Sequence, residues 1–216
     1  MPSTSPAASP RRPASPSSPC FPESPMGTLT TRTARLVHRL KPAGPPRIEA
    51  ATTPDLPAID ALLAPHIASG RVLPRKASAD AFLVARQAPG HGGSIVGAVA
   101  LTAWSDRVVE LGSLAVDAPG LGLGTRLVRA AEERAAALGF DRVVALTSSP
   151  GFFLRCGWQP SAHSPWARAR ALDADPAPPM LSAALDRKAQ ACAACPRLAT
   201  CTQTMLVTSV ARAEAA

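Results

Sequence analysis

The segment of this sequence best suited to bind a charged ligand contains three glycines at alternate positions. They lie in the loop from Pro119 to Gly124, between an apolar stretch that ends at Val116 and a predicted helix over residues 122–138. Glycine lets the backbone turn its N–H groups toward one point and lets a ligand approach closely. Those N–H groups would also lie at the positive end of the helix, which favours phosphate. The loop therefore predicts a site for a phosphorylated cofactor.

Two other glycine motifs that bind phosphate do not fit this loop. A Walker loop ends in Gly-Lys-Ser/Thr, whereas Gly124 is followed by Thr125 and Arg126. The dinucleotide fingerprint Gly-x-Gly-x-x-Gly has a different spacing and lies early in a βαβ unit. A tight turn without a ligand is the alternative that these residues leave open.

The hydrophobic pattern around the loop predicts alternating strands and helices. We expect Thr53 to cap a first helix with Pro54 at its first position, and Ser78 to cap a second, short helix. Gly139 should end the helix over 122–138. Mixed elements in this order favour an α+β fold. Strands are predicted at 48–50, 82–86, 94–103, 108–116, 142–146 and 205–210, and a short helix at 151–156.

Composition divides the chain at about residue 45. Residues 1–45 are rich in Pro, Ser and Ala, contain six basic residues and one acidic residue, and so hold most of the net charge of +8. We predict a disordered basic tail there and a folded domain over 46–216, with the last strand and a cysteine cluster in 186–216. The folded part shows no basic patch for nucleic acid. No apolar run approaches the ~20 residues that span a bilayer.

These features predict a cytoplasmic protein without nucleic-acid or membrane partners. An alternative is an organellar location, with the Ser-rich, basic tail serving as a transit peptide. Met26 is an alternative start of the chain, since the composition changes there.

The glycine loop and the residues on both sides of it resemble the GNAT superfamily of N-acetyltransferases. The resemblance lies in LAVDAPGLGLGTRLV at 114–128 and DRVVALTSSPGFFLRCGW at 141–158. It implies a mixed, mostly antiparallel central sheet flanked by helices, with acetyl-CoA as co-substrate. Pro119 departs from the usual cationic start of the loop and donates no N–H. The cofactor contacts implied are Leu114, Ala115 and Val116 for the pantetheine arm, Gly120, Leu121, Gly122, Leu123, Gly124 and Thr125 for the pyrophosphate, and Phe153 beside them.

Further motifs resemble the short, stand-alone N-acetylglutamate synthases. They are Leu73-Pro74-Arg75, ELGSLAV at 110–116, and the cysteine tail that begins at Cys192. The resemblance implies direct acetyl transfer to the α-amine of L-glutamate, in arginine biosynthesis. Alternatives are another small amine or amino acid as acceptor, or a non-catalytic module that senses acetyl-CoA or binds metal. A homodimer or a regulatory partner protein is a further expectation.

Amine acylation needs a base for the ammonium proton and an acid for the departing thiolate. The resemblance points to Glu110 as the base, and a solvated strand glutamate is the alternative. Many of these enzymes have a tyrosine acid where this chain has Phe153, and the chain contains no tyrosine. The resemblance to the synthases implies a serine as the acid, which points to Ser148 or Ser149, with Thr147 or solvent as alternatives. These hydroxyls could instead only cap the short helix.

Basic side chains would be needed to bind a dicarboxylate acceptor. Arg75 and Arg155 are the candidates, with Ser113 as a polar neighbour. Gly112 stands where the family often has an arginine, so one partner for a carboxylate is missing from this sequence.

Three cysteines near the C-terminus have a spacing that suits a structural zinc. Cys192, Cys195 and Cys201 form C-x₂-C-x₅-C, and zinc prefers four ligands in a tetrahedron. Cys156 or His163 would have to supply the fourth. A cluster of reduced thiols is the alternative. Trp104, Trp158 and Trp166 are predicted to serve packing.

Overall fold

The computed structural model describes residues 44–74, 77–88, 93–170 and 176–211. Nearly all of the predicted tail, and the candidate Arg75, therefore lie outside the described residues. Among those that are described, no helix is both long enough and apolar enough to cross a membrane.

A seven-stranded sheet forms the centre of the fold, in the order β1-β2-β3-β4-β5-β7-β6. Neighbouring strands are antiparallel except β4 and β5, which are parallel. The predicted fold class, α+β with a mixed and mostly antiparallel sheet, is confirmed. The strands are β1 Arg47–Ala50, β2 Phe82–Arg86, β3 Ile95–Ala103, β4 Val108–Val116, β5 Arg142–Thr147, β6 Gln159–Pro160 and β7 Thr204–Ser209.

Five α-helices accompany this sheet in the described part of the chain. Two of them match the predicted helices over 122–138 and 151–156 within one residue at each end, and the predicted first helix is present but begins two residues later. The first helix follows a 3-10 turn at Thr53–Asp55, whose N-cap is Thr52, and the N-cap of the helix itself is Asp55 rather than the predicted Thr53. Both the N–H and the Oγ1 of Thr52 donate to the Asp55 carboxylate, which fixes the turn one residue earlier. The helices are α1 Leu56–Ala68, α2 Leu123–Ala137, α3 Pro150–Arg155, α4 Pro165–Ala169 and α5 Pro179–Ala193.

The short helix predicted after Ser78 is a 3-10 turn at Ala79–Ala81, with Ser78 at its N-cap position. α4 and α5 were not predicted from the sequence. The buried residues of α5 are Ala184, Leu185 and Ala189. Alanine contributes little to a hydrophobic period, so the apolar face of α5 is weakly marked in the sequence.

The helices cover both faces of the sheet, and alternate strand residues point to them. Leu83 and Ala85 of β2 pack in the cluster beneath α2 and α3, whereas Phe82 and Val84 pack in the cluster beneath α1. This alternation follows from the two-residue period of a strand. A third cluster joins α5 to the middle of the sheet through Trp104, Val108, Val144, Ala184, Leu185 and Met205.

Candidate active site

The central strands separate in the middle of the sheet and open a cleft. β4 and β5 pair only from Val108 with Arg142 to Glu110 with Val144. Beyond that point β4 continues along β3, while β5 continues along β7. The cleft belongs to a cavity of about 1240 Å³. A ligand can therefore enter between two strands without breaking a ladder of hydrogen bonds.

A bulge in β4 forms one edge of this cleft. Ala98 pairs with Ala115 and Ala100 pairs with Gly112, so β4 holds one residue more than β3 over this stretch. Ser113, inside the bulge, has a φ of 49° and is buried. A bulge bends its strand and leaves the extra residue outside the ladder. The predicted acetyl-CoA strand residues Leu114, Ala115 and Val116 follow it and line the cavity.

The glycine loop lies at the end of β4, as the sequence predicts. Gly120 and Gly122 have φ values of 90° and 73°, in the left-handed region that favours glycine. Gly122 is the N-cap of α2, so the N–H groups at the start of α2 lack partners within the helix and lie beside the cavity. Gly120, Gly122, Gly124 and Thr125 line the cavity.

Two residues of the predicted loop set do not line the cavity. The Leu121 side chain is 80% exposed, and Leu123 packs into the core beneath α2. Leu121 lies at the tip of the loop, and Leu123 is the first apolar residue of α2. Any contact that they make with a cofactor would have to come from the backbone.

Glu110 lies at the point where the strands separate, and it is 1% exposed. The expectation of a solvated strand glutamate is therefore wrong. Trp104 Nε1 donates to Glu110 Oε2 at 2.8 Å, and Lys188 Nζ donates to the same oxygen at 2.7 Å. Trp104 is thus both a packing residue, as predicted, and a hydrogen-bond donor to the candidate base.

Lys188 of α5 supplies the charge that stabilises a buried carboxylate. Its ammonium also lies 5.5 Å from the centre of the Trp104 ring, a distance typical of a cation–π contact. An ionised carboxylate without a partner would be strongly unfavourable in the interior. Sequence reasoning missed Lys188, because it follows Glu110 by 78 residues. The available signal was a lysine beside Ala184 and Leu185, on the apolar face of α5.

The candidate acids lie across the cleft, at the end of β5. Thr147, Ser148 and Ser149 all line the cavity. The Ser149 N–H donates to Thr147 Oγ1 at 2.9 Å. Ser149 is the N-cap of α3, but its hydroxyl makes no capping hydrogen bond to any described residue. The expectation that it only caps the helix is not supported.

The aromatic residues of α3 form an apolar wall between these hydroxyls and the glycine loop. Phe153 is buried, with its ring centre 5.1 Å from that of Phe152 and 5.0 Å from that of Trp158. Phe152 in turn approaches Gly124, where an added Cβ would lie 3.4 Å from the ring. Phe153 lines the cavity as predicted, and its ring has no proton to donate to a thiolate.

Further basic side chains line the cavity. Arg155 lines it and is exposed, whereas Arg75 lies outside the described residues. Arg71, after α1, and Arg197, after α5, also line the cavity, and the sequence analysis did not single them out. Arg197 Nη1 donates to the Gly70 carbonyl at 3.4 Å, which links the two segments. The basic end of the cavity, formed by Arg71 and Arg197, therefore has the charge that a carboxylate ligand requires.

The predicted zinc site is not supported by the structure. Within the described ranges, no group of three or more His, Cys, Asp or Glu side chains is placed to hold a metal ion. Cys156, one of the proposed fourth ligands, is buried in the core beneath α2. Cys192, Cys195 and Cys201 are free thiols that line the cavity instead.

A split mixed sheet with a bulged strand, a glycine loop and a helix N-terminus at the cleft defines the architecture of a CoA-dependent acyltransferase. The family model of the acetyltransferase (GNAT) family matches residues 50–158, and the chain belongs to this family. Acetyl-CoA is therefore its co-substrate and acetyl transfer its class of reaction.

Several solved structures share this fold. A protein from Mycobacterium tuberculosis, in complex with CoA, is 23% identical with a TM-score of 0.60, and the match covers 76% of this chain and 99% of that one. N-acetylglutamate synthase from Neisseria gonorrhoeae, complexed with coenzyme A and N-acetyl-glutamate, is 23% identical with a TM-score of 0.57. That match covers 77% of this chain but only 35% of the synthase. No curated protein matches the sequence.

Proposed function

We propose that this chain transfers the acetyl group of acetyl-CoA to the α-amine of L-glutamate, a step of arginine biosynthesis. The observation that carries the proposal is the buried Glu110 at the separation of β4 and β5. It lies on the strand that leads through the bulge to the glycine loop. A carboxylate in this position can meet an amine beside the acetyl group of a cofactor bound along Leu114–Val116.

Each polar group around the cleft can serve one step of a direct transfer. Glu110 takes a proton from the acceptor ammonium, directly or through water, and frees the lone pair. The amine nitrogen then bonds to the thioester carbon, whose oxygen is polarised by backbone N–H groups at the bulge. As the C–S bond breaks, the CoA thiolate takes a proton from Ser148 or Ser149, or from solvent, and the nitrogen releases its second proton, which restores the proton donor. The products are the N-acetylated amino acid and CoA.

Basic side chains support an acidic amino acid as the acceptor. Arg71, Arg155 and Arg197 line the cavity, and each can bind a carboxylate through its guanidinium. The charge of Lys188 is paired with Glu110 and is not counted among them. The cavity has space for a small acceptor in addition to the cofactor arm.

The site also leaves room for a different acceptor. Gly112 faces the cavity without a side chain, and the positive charge of Lys188 is already paired with Glu110. Another small amino acid is therefore the second candidate. A non-catalytic module that senses acetyl-CoA is a third, since no tyrosine acid is present in the sequence.

Measurement of CoA release from acetyl-CoA, with single amino acids as acceptors, separates these functions. We expect L-glutamate to give a larger kcat/KM than L-glutamine, L-aspartate or glycine. The comparison with L-glutamine is the sharpest, because only the side-chain carboxylate differs. Equal kcat/KM values with L-glutamate and L-glutamine would show that the enzyme does not select a dicarboxylate acceptor. CoA binding without release above buffer for any acceptor would favour the sensing module.

A further inference from the structure

Three thiols lie at the basic end of the cavity, and neither the proposed transfer nor a metal uses them. Cys192, Cys195 and Cys201 fall within ten residues of sequence and all line the cavity. Each is partly exposed and free. The fourth cysteine in the described residues, Cys156, is buried in the core and does not line it.

Successive turns of the backbone join these cysteines, and the first turn holds Cys195 close to Cys192. The Cys195 N–H donates to the Cys192 carbonyl at 2.9 Å, the Leu198 N–H to the Cys195 carbonyl at 3.0 Å, and the Cys201 N–H to the Leu198 carbonyl at 3.3 Å. Residues joined by such a turn have Cα atoms within about 7 Å, and a disulfide requires roughly 4.4–6.8 Å. Cys192 and Cys195 therefore meet the first requirement for a disulfide.

Cys192 is the thiol most closely linked to the candidate base. Burial raises the pKa of the Cys192 thiol, and the nearby charge of Lys188 opposes that increase. Cys201 and Cys195 raise it further, as neighbouring groups that could also become anionic. Cys192 lies four residues after Lys188 on α5, so the two side chains share one face of the helix. Lys188 in turn donates to Glu110 at 2.7 Å.

We propose that these cysteines form a reversible thiol–disulfide site, in which Cys192 bonds to Cys195 or Cys201 and the bond slows acetyl transfer. The effect on transfer rests on the proposed function, whereas the disulfide itself does not. The bond would tie the last turn of α5 to the segment after it. Lys188 lies one turn earlier, so its contact with Glu110 is the contact most directly disturbed.

Hydrogen peroxide, or a related hydroperoxide, is the oxidant that the reaction requires. A thiolate of Cys195 or Cys201 attacks one peroxide oxygen, the O–O bond breaks, and a sulfenic acid and one water form. The Cys192 sulfur then attacks the sulfenic sulfur, giving the disulfide and a second water. The two thiols lose two electrons and the peroxide gains them. A dithiol reductant reverses the reaction by thiol–disulfide exchange.

The test uses the full chain with Cys20→Ser, which removes the cysteine of the N-terminal segment. After peroxide treatment, we expect non-reducing peptide mass spectrometry to find a disulfide that contains Cys192. CoA release should fall about tenfold or more, the effect of losing one hydrogen bond to a charged group, and should recover with dithiothreitol. Each variant is compared with its own reduced activity.

Two variants keep the proposal falsifiable even if one of them folds poorly. Both Cys192→Ser and the double variant Cys195→Ser/Cys201→Ser should resist inactivation by peroxide. A bridge between Cys195 and Cys201, or no bridge at all, would overturn the site. If a Cys192 disulfide forms and the rate of CoA release does not change, the proposal that the disulfide slows acetyl transfer is wrong. If no acceptor supports turnover, the proposed function fails, while the mass spectrometry still decides the disulfide.

Discussion

The two walls of the central cavity are built in different ways. The cofactor wall consists of the end of β4, the glycine loop and the start of α2, a continuous stretch from Leu114 to Thr125. The acceptor wall combines Glu110, Lys188, the segment after α1 and the cysteine segment after α5. The first wall offers mainly backbone groups, and the second offers side chains from distant parts of the chain. The residues of a wall that is one continuous segment can be predicted from the sequence, whereas those of a wall assembled by tertiary packing cannot.

Removal of the carboxylate of Glu110 should give the largest effect on the acceptor wall. Glu110→Gln keeps the shape of the side chain but cannot accept the ammonium proton, so we expect kcat to fall about 10²- to 10⁴-fold. Initial rates of CoA release measure this. Glu133→Gln, which changes an exposed glutamate of α2, is the matched control and should leave kcat unchanged. Full activity of Glu110→Gln at neutral pH would show that Glu110 is not the general base.

Loss of the Lys188 ammonium should have the next largest effect. Lys188→Met leaves the Glu110 carboxylate without its cation, and we expect kcat/KM for L-glutamate to fall about 10- to 100-fold, as in other cases of a displaced catalytic group. The KM for acetyl-CoA should remain within about twofold. Lys188→Arg, which restores the charge, should recover part of the loss. A Lys188→Met enzyme with wild-type kcat/KM would show that the ion pair serves stability alone.

A substitution in the glycine loop should affect the cofactor wall alone. Gly122→Ala places a Cβ on a left-handed residue at a penalty of roughly 1–2 kcal/mol. The loop then relaxes away from the conformation that presents its N–H groups, so we expect the KM for acetyl-CoA to rise about tenfold. The kcat at saturating acetyl-CoA should not change.

Gly139→Ala is the matched control for this prediction. Gly139 has a φ of 84° at the other end of α2, so it bears a similar strain away from the cavity. It should lower the melting temperature and leave both KM values unchanged. An equal rise in KM for Gly139→Ala would mean that Gly122→Ala acts through stability.

The smallest effect on activity is expected outside both walls, at Arg86. It donates to Asp55 and to Glu49, both at 2.8 Å. Arg86→Met should reduce the free energy of unfolding by about 1.5–3 kcal/mol, the contribution of a hydrogen bond between charged groups. The kcat should not change. Urea unfolding followed by circular dichroism measures the loss, and an unchanged midpoint would contradict it.

The same ion pair predicts a pH dependence of stability. Hydrogen bonds from Arg86 and Thr52 lower the pKa of Asp55 from 3.8 to about 2. A lowered pKa in the folded state means that this contribution is present above pH 4 and is lost as the pH falls toward 2. Arg86→Met should therefore flatten the fall in melting temperature between these values. An identical slope in both proteins would contradict the assignment.

The comparison of the walls also explains which features the sequence could predict. The glycine loop, β4 and α2 follow from local spacing, and their bounds agree with the predictions almost to the residue. The bulge at Ser113 could not be predicted, since it depends on the register between β3 and β4. Lys188 was missed because its role depends on the packing of α5 against the sheet. The zinc prediction used cysteine spacing alone, and spacing does not determine where the side chains point.

The separation of the two walls is tested most directly by measuring both KM values and kcat in Gly122→Ala and Lys188→Met. We expect Gly122→Ala to raise only the KM for acetyl-CoA, and Lys188→Met to lower only the kcat/KM for L-glutamate. Parallel changes of both substrates' constants in both variants would contradict it.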